Sequence, residues 1–166
     1  RDVATGSWYN TYVATLNNAG VITDSSNGYF RPNDPITRAE IAAMIARCDG
    51  NSYGNAYTNF SDVKGHWAAN YIARAYELGW INGYGSTYAP DKYITRAETV
   101  AILNRVLNRA PQNTSDLLNG LNTFNDVSTT SWYYLDVEEA ANSHTYTRKT
   151  NDYEYWEKLI SDPSWL

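Results

Sequence analysis

Two arginines occupy positions where a positive charge is locally unfavourable, and their chemistry needs an explanation. Arg38 and Arg96 hold the same place in the pentapeptide Ile-Thr-Arg-Ala-Glu, which occurs at residues 36–40 and again at residues 94–98. The pattern predicts that each arginine lies in the first turn of a helix, where a cation faces the positive end of the helix dipole at a cost of roughly 0.3–1 kcal/mol. Each arginine either pairs with a distant carboxylate or joins the helix N–H groups in holding an anion. Its recurrence beside loops rich in glycine and tyrosine favours the anion for the pair.

The other polar residues of the pentapeptide are explained by helix initiation alone. Thr37 as the N-cap and Glu40 three positions later have the spacing of a capping box, in which each side chain accepts the other residue's backbone N–H. Thr95 and Glu98 repeat this spacing. We therefore assign these four residues no binding role.

A second pattern, an aspartate followed by a tryptophan, occurs three times. The pairs are Asp2 with Trp8, Asp62 with Trp67, and Asp126 with Trp132. Each aspartate precedes a predicted helix, where N-capping is its simplest role. Each tryptophan begins a predicted helix and either packs in the core or lines a groove, and the sequence leaves both roles open.

Helices and loops must position these residues. Apolar residues at helical spacing predict first helices over about residues 8–19 and 67–78, and Gly20 and Gly79 are placed to end them. Turn-rich loops then lead to second helices that start at the two pentapeptides. The third repeat keeps only a first helix, at about residues 132–142, and we expect a short helix near residues 153–160. Linkers are predicted at residues 49–59 and 110–123.

Composition and motifs exclude several classes of function. A net charge of −5 gives no support to nucleic-acid binding. No apolar stretch approaches the roughly 20 residues that span a bilayer, so membrane insertion is not expected. The chain contains no catalytic motif, and we predict neither an enzyme nor a cofactor. The histidines His66 and His144 are far apart in sequence, so we predict no metal site. The chain opens within a repeat, which suggests a piece of a longer protein.

The combined motif resembles a known family. The pattern Phe60-x-Asp62-Val63-x-x-His66-Trp67, continued by Gly79-x-Ile81-x-Gly83 and by residues 94–98, is similar to an S-layer homology repeat. Residues 30–40 match the end of the same motif in the first repeat. The resemblance implies one domain over residues 1–166, with repeats at about 1–48, 60–109 and a diverged third at about 124–166.

The resemblance also implies a fold and a function. The family fold is an all-α, pseudo-threefold spindle with a central three-helix bundle and outer helix-loop lobes. Its grooves bind secondary cell wall polysaccharide, often bearing a pyruvate ketal, and thereby anchor larger proteins outside the cell at the bacterial wall or S-layer. Self-association within a surface layer is compatible with that role. The binding residues of the family correspond here to Asp2, Trp8, Gly28, Arg38, Asp62, Trp67, Gly83, Arg96, Asp126 and Trp132.

The incomplete third repeat raises an alternative function. It lacks a second helix, a capping box and an arginine, so at most two competent grooves are expected. A structural or protein-interaction module whose polysaccharide sites have decayed is the competing hypothesis.

Overall fold

The computed structural model describes residues 2–23, 28–50 and 58–161, and the chain divides into two compact units, Arg1–Ile94 and Thr95–Leu166. The described residues of the first unit include the helices α1 (Asn10–Asn18), α2 (Arg38–Cys48) and α3 (Ala69–Glu77). The second contains α4 (Arg96–Val106), a 3-10 turn (Thr114–Asp116), α5 (Tyr134–Ala141) and two strands, β1 (His144–Arg148) and β2 (Glu154–Leu159). In the described part of the chain, every helix is too short or too polar to cross a bilayer.

The two pentapeptides begin helices as predicted. Both predicted capping boxes are present, with Thr37 and Glu40 at the start of α2 and Thr95 and Glu98 at the start of α4. The arginines are therefore the first residues of α2 and α4.

Glycine ends the first helix of each complete repeat, as the sequence predicted. Gly20 and Gly79 both have a φ of +73°, which a residue without Cβ adopts readily. After α3, the Gly79 and Trp80 N–H groups donate to the carbonyls of Tyr76 and Ala75, so the exposed helix end is satisfied. The chain therefore turns abruptly into the loop that follows each helix.

Small residues on α2 allow it to pack closely on α3 in the first unit. The alanines of α2 are almost fully buried, and Ile72 and Ala75 of α3 are buried as well. The buried alanines of α2 are Ala39, Ala42, Ala43 and Ala46. This packing fixes the N-terminal end of α2, where Arg38 lies.

The all-α prediction is wrong. Residues 153–160, predicted as a short helix, instead contain β2, which pairs antiparallel with β1 across a turn at which Asp152 has a φ of +65°. Glu154 and Trp156 are buried while Tyr155 and Glu157 are exposed, and this period of two belongs to a strand. Threonine and tyrosine in β1 also favour strand. The pseudo-threefold spindle and its three-helix bundle rested on an all-α class and are not confirmed.

The two predicted linkers have different outcomes. Most of residues 49–59 lies outside the described part of the chain. Residues 110–123 are not a free linker, because they contain the 3-10 turn, whose Asp116 is buried. The Lys149 ammonium lies 2.6 Å from the Asp116 carboxylate, which ties this segment to the hairpin of β1 and β2.

Candidate functional site

Asp2 and Asp62 hold the loops that precede the next helix of each repeat. The Asp62 carboxylate accepts the N–H groups of Tyr88 and Ala89 at 2.9 and 2.8 Å. Asp2 accepts those of Phe30 and Arg31 at 2.8 and 2.6 Å. The expected N-cap role is therefore not what these carboxylates perform, since α1 and α3 begin several residues later and their N-cap residues make no side-chain cap bond.

These hydrogen bonds stabilise the ionised carboxylates. The N–H group of Phe30, with that of Arg31, lowers the pKa of Asp2 below its usual value. Partial removal from water opposes ionisation of Asp62, but the N–H groups of Tyr88 and Ala89 and the nearby Arg38 outweigh it and lower its pKa. Arg31 and Ala89 have φ values of 59° and 57°, which are unusual for residues with a Cβ. The aspartates therefore hold two strained loop positions.

Arg38 is buried, with a relative exposure of 4%. Its Nε donates to the Tyr88 carbonyl and its Nη2 to the Asn82 carbonyl, both at 2.9 Å. The guanidinium also lies 4.4 Å from the Tyr88 ring centre and 4.8 Å from that of Tyr84. The sequence predicted either a distant carboxylate or a bound anion as the partner of this arginine, and it did not predict these backbone carbonyls. Arg38 thus fixes the loop of repeat two onto the start of α2.

Arg96 has the same position at the start of a helix as Arg38, but its tertiary surroundings differ. It is exposed at the start of α4, and no described residue forms a hydrogen bond or ion pair with it. Arg38 is covered by a loop that repeat two supplies. The third repeat lacks that loop, since its chain runs from α5 directly into β1. Arg96 therefore keeps a solvent-facing guanidinium.

The three repeated tryptophans are not core residues. Trp8, Trp67 and Trp132 have relative exposures of 77%, 59% and 64%. Each ring meets a neighbouring aromatic side chain, as Trp8 and Trp132 do with the tyrosine that follows them. Core packing is therefore excluded for all three, and groove lining stays a prediction.

Trp67 lines a groove in the first unit together with two arginines. The groove has a volume of about 200 Å³, and Arg31, Arg47, Tyr29 and Met44 also line it. Arg47 lies 4.8 Å from the Tyr71 ring centre and donates to the Val21 carbonyl at 3.2 Å. An aromatic face beside two cations can contact the C–H face of a sugar and a carboxylate on it.

One acidic side chain also lines the groove. Glu40 Oε1 lies 3.5 Å from Arg31, a long contact between two partly exposed groups. Glu40 Oε2 accepts the Thr37 N–H and hydroxyl and is therefore engaged at the helix start. The exposed Arg31 side chain also lies 3.6 Å from Asp34, so its guanidinium is held at the rim by weak contacts.

The two predicted glycines have separate surroundings. Gly83 cannot carry a side chain, because an added Cβ would lie 2.5 Å from the Thr87 carbonyl oxygen and 2.6 Å from Phe60 Cζ. Gly28 lines a different cavity of about 370 Å³ with Asp2. Of the predicted residues of the first unit, only Trp67 lines the groove with the two arginines.

Asp126 and Trp132 of the second unit are both exposed. Within the described residues, the Asp126 carboxylate accepts no backbone N–H group like those held by Asp2 and Asp62. The loop that those aspartates hold has no counterpart after α5.

Sequence reasoning missed Arg31 and Arg47 of the groove. Arg47 has a counterpart in Arg105 at the repeat offset of 58, so the repeat spacing could have found it. Arg31 corresponds to Ala89, and no repeated pattern indicates it.

Comparison with known proteins agrees with these repeats. The family model described as S-layer homology domain matches residues 1–42 and 59–100. The cell surface glycoprotein 1 of Acetivibrio thermocellus is 31% identical over 97% of this chain and 7% of its own length. The cellulosome-anchoring protein of the same organism is 34% identical over 93% of this chain and 34% of its own length. The S-layer protein sap of Bacillus anthracis is 31% identical over 59% of this chain and 12% of its own length.

The chain spans about a third or less of the length of these relatives. The amylopullulanase of Thermoanaerobacterium thermosulfurigenes also matches, but over only 7% of its own length. The shared part is thus a module that occurs in proteins of different activity. The S-layer homology module binds the cell wall and is not catalytic. With both complete repeats matched, this chain belongs to the S-layer homology domain family, which locates it at the bacterial cell wall or surface.

Proposed function

We propose that this chain anchors a larger protein non-covalently to the bacterial cell wall by binding an anionic secondary cell wall polysaccharide. The observation that carries the proposal is the groove of the first unit, where Trp67 lies with Arg31 and Arg47. The aromatic ring supplies an apolar face for a sugar, and the guanidinium groups supply paired N–H donors for a carboxylate.

A pyruvate ketal is the modification that this chemistry fits. It places a carboxylate directly on a sugar ring, so one ligand residue presents both an apolar face and a negative charge. Arginine suits such a ligand because its planar fork donates two parallel hydrogen bonds to a carboxylate.

The remaining predicted residues take supporting or secondary roles in this proposal. Asp2, Asp62, Arg38 and Gly83 hold the loops, and their loss would act on binding through loop position. Arg96 and Trp132 are exposed in the second unit and are each further candidates for glycan contact, with Trp8 a third exposed aromatic.

Sedimentation with purified wall sacculi tests the proposal. We expect Trp67→Ala and the double variant Arg31→Ala with Arg47→Ala each to weaken binding at least tenfold, a loss of about 1.4 kcal/mol or more. Lys64→Ala is the matched control, since Lys64 is an exposed cation outside the groove and should leave binding unchanged. Circular dichroism must show a native fold for every variant.

Sedimentation with walls that mild acid has stripped of ketals distinguishes anchoring to the wall from recognition of the pyruvate ketal. Reduced sedimentation with treated walls supports the pyruvate group as the recognised feature. If the wild type sediments equally with treated walls and the groove variants lose wall binding, wall anchoring is supported and recognition of the ketal is refuted. Equal binding by the wild type and both groove variants would refute the groove.

The interaction module remains the second candidate function. The observation that favours it is the second unit, where a hairpin with exposed Tyr146 and Tyr155 follows α5 in place of a second helix. That hypothesis predicts no sedimentation with walls and a concentration-dependent mass in light scattering.

A further inference from the structure

Three potential metal ligands from three elements converge inside the second unit. They are Glu139 of α5, His144 at the start of β1 and Glu154 at the start of β2, and their nearest ligand atoms all lie within 4.8 Å of one another. The His144 Nε2 atom lies 3.5 Å from Glu139 Oε2 and 3.6 Å from Glu154 Oε2. The side chains of both glutamates are fully buried, and that of His144 is 3% exposed.

The outer oxygen of each glutamate is already paired with an arginine. Arg109 Nε and Nη2 both contact Glu139 Oε1 at 2.9 Å. Arg148 Nη2 lies 3.5 Å from Glu154 Oε1. The two Oε2 atoms therefore point inward, toward the imidazole, and Glu139 Oε2 also accepts the Trp156 Nε1–H at 3.1 Å.

The imidazole is oriented like that of a metal ligand. His144 Nδ1 lies 2.7 Å from the Asn142 carbonyl oxygen, which can only accept a hydrogen bond. Nδ1 therefore carries a proton, and Nε2 faces the two carboxylates. This outer hydrogen bond to a backbone carbonyl is the arrangement that fixes metal-binding histidines. The ring also stacks on Trp156 at a centroid distance of 3.7 Å, which holds its plane.

One buried oxygen in the cluster lacks a hydrogen bond. Glu154 Oε2 is inaccessible to solvent and has no hydrogen-bond partner among the described residues. Such an atom loses its hydration without compensation. A cation held beside this atom and the neighbouring Glu139 Oε2 would satisfy the unpaired oxygen.

We propose that Glu139, His144 and Glu154 form a buried binding site for a divalent transition-metal ion, with Zn²⁺ the best match. Four-coordinate Zn²⁺ with ligand distances of about 2.0–2.2 Å separates its ligand atoms by roughly 3.3–3.6 Å. The two distances from His144 Nε2 fall within that spacing. A nitrogen ligand disfavours Ca²⁺ and Mg²⁺, which take oxygen ligands. Three protein ligands leave a fourth position for a water molecule.

Such an ion would have a structural role. It would join α5 to both strands of the hairpin, in the part of the chain where the third repeat departs from the first two. The sequence prediction of no metal considered only the separation of the two histidines. It could not include the glutamates, because the strand that carries Glu154 was predicted as a helix.

Metal titration of the chelator-treated full chain tests the proposal. We expect one equivalent of Zn²⁺ to be withdrawn from a chromophoric chelator, and the apparent Tm to rise by about 5–10 °C at a hundredfold excess of ion over Kd. In ¹⁵N-resolved NMR spectra, the His144 Nε2 resonance should shift on Zn²⁺ addition while Nδ1 stays protonated.

His144→Gln and Glu154→Gln should each weaken Zn²⁺ binding at least tenfold. His66→Gln is the matched control, because His66 contacts Asp91 in the first unit and should not affect Zn²⁺ affinity. If the His144 and Glu154 variants fail to fold, the wild-type NMR spectra still decide. Absence of stoichiometric binding, an unshifted Nε2 resonance, or loss of binding in His66→Gln alone would overturn the proposal.

Discussion

Replacing Arg38 by alanine should destabilise the first unit far more than the same change at Arg96. Both arginines follow the same N-cap threonine, and both begin a helix. Arg38 is buried and donates to two loop carbonyls, whereas Arg96 is exposed and, among the described residues, unpaired. The comparison therefore isolates the tertiary environment from the helix position.

The contacts of Arg38 set the magnitude. Each hydrogen bond with a charged partner contributes about 1.5–3 kcal/mol. Each ring contact adds roughly 0.5–2 kcal/mol. These contributions overlap, because burial of the same guanidinium enters all of them. We therefore expect Arg38→Ala to lower the free energy of unfolding by about 3 kcal/mol, and the Tm by about 6–12 °C.

Arg96→Ala supplies the control. Its guanidinium forms no hydrogen bond or ion pair with a described residue, and it opposes the helix dipole by roughly 0.3–1 kcal/mol. The variant should therefore be as stable as the wild type or slightly more stable. Urea unfolding followed by circular dichroism measures both variants, and wall sedimentation measures whether Arg96 contributes to binding.

Two results would refute this reasoning. If Arg38→Ala and Arg96→Ala have the same unfolding free energy, Arg38 does not hold the loop. If Arg38→Lys restores full stability, charge alone is enough, and the two directed hydrogen bonds to the carbonyls are not needed.

Three further changes test the loops and helix starts by thermal or urea unfolding. Gly83→Ala should lower the free energy of unfolding by about 3 kcal/mol, because the added Cβ would overlap Phe60. Gly85→Ala, at a φ of +65° in open space, should lower it by only about 1 kcal/mol. Equal losses in the two variants would contradict the close approach of Phe60 to Gly83. The pKa of Asp62 is lower in the folded protein than its usual value near 3.8. The ionised carboxylate therefore stabilises the fold above pH 3.8, and this stabilisation is lost as the pH falls through the lower pKa of the folded state. Asp62→Asn should therefore be less stable at neutral pH and less acid-sensitive, and parallel pH profiles of unfolding free energy would disprove this. Thr95→Ala removes the N-cap of α4 and should lower the free energy of unfolding by about 1 kcal/mol. An unchanged free energy would show that the start of α4 does not depend on Thr95.

Local features of the fold could be predicted from the sequence because they depend on neighbouring residues. The capping boxes at Thr37 and Thr95 and the helix ends at Gly20 and Gly79 each involve residues at most a few positions apart. The hairpin could not be predicted in the same way. Its alternation is short, and Glu154 is a poor indicator of a buried strand until its partners Arg148 and His144 are known.

The candidate site could be predicted in part. Trp67 was found because its repetition implies a shared role, and its exposure leaves that role to the groove. The part that Asp62 plays was not found, since its partners lie 26 and 27 residues further along the chain. Arg31 was not found because the corresponding residue in repeat two is Ala89.

The sequence by itself determined the family, the repeats and the points at which their helices begin. Only the tertiary structure decided that Arg38 is buried and Arg96 exposed, because that difference depends on whether a loop some 44–50 residues away supplies carbonyl groups. The same holds for Glu139, His144 and Glu154, which three separate elements bring together. A capping box acts between neighbours on one helix turn, whereas burial and convergence depend on which distant segments pack against them.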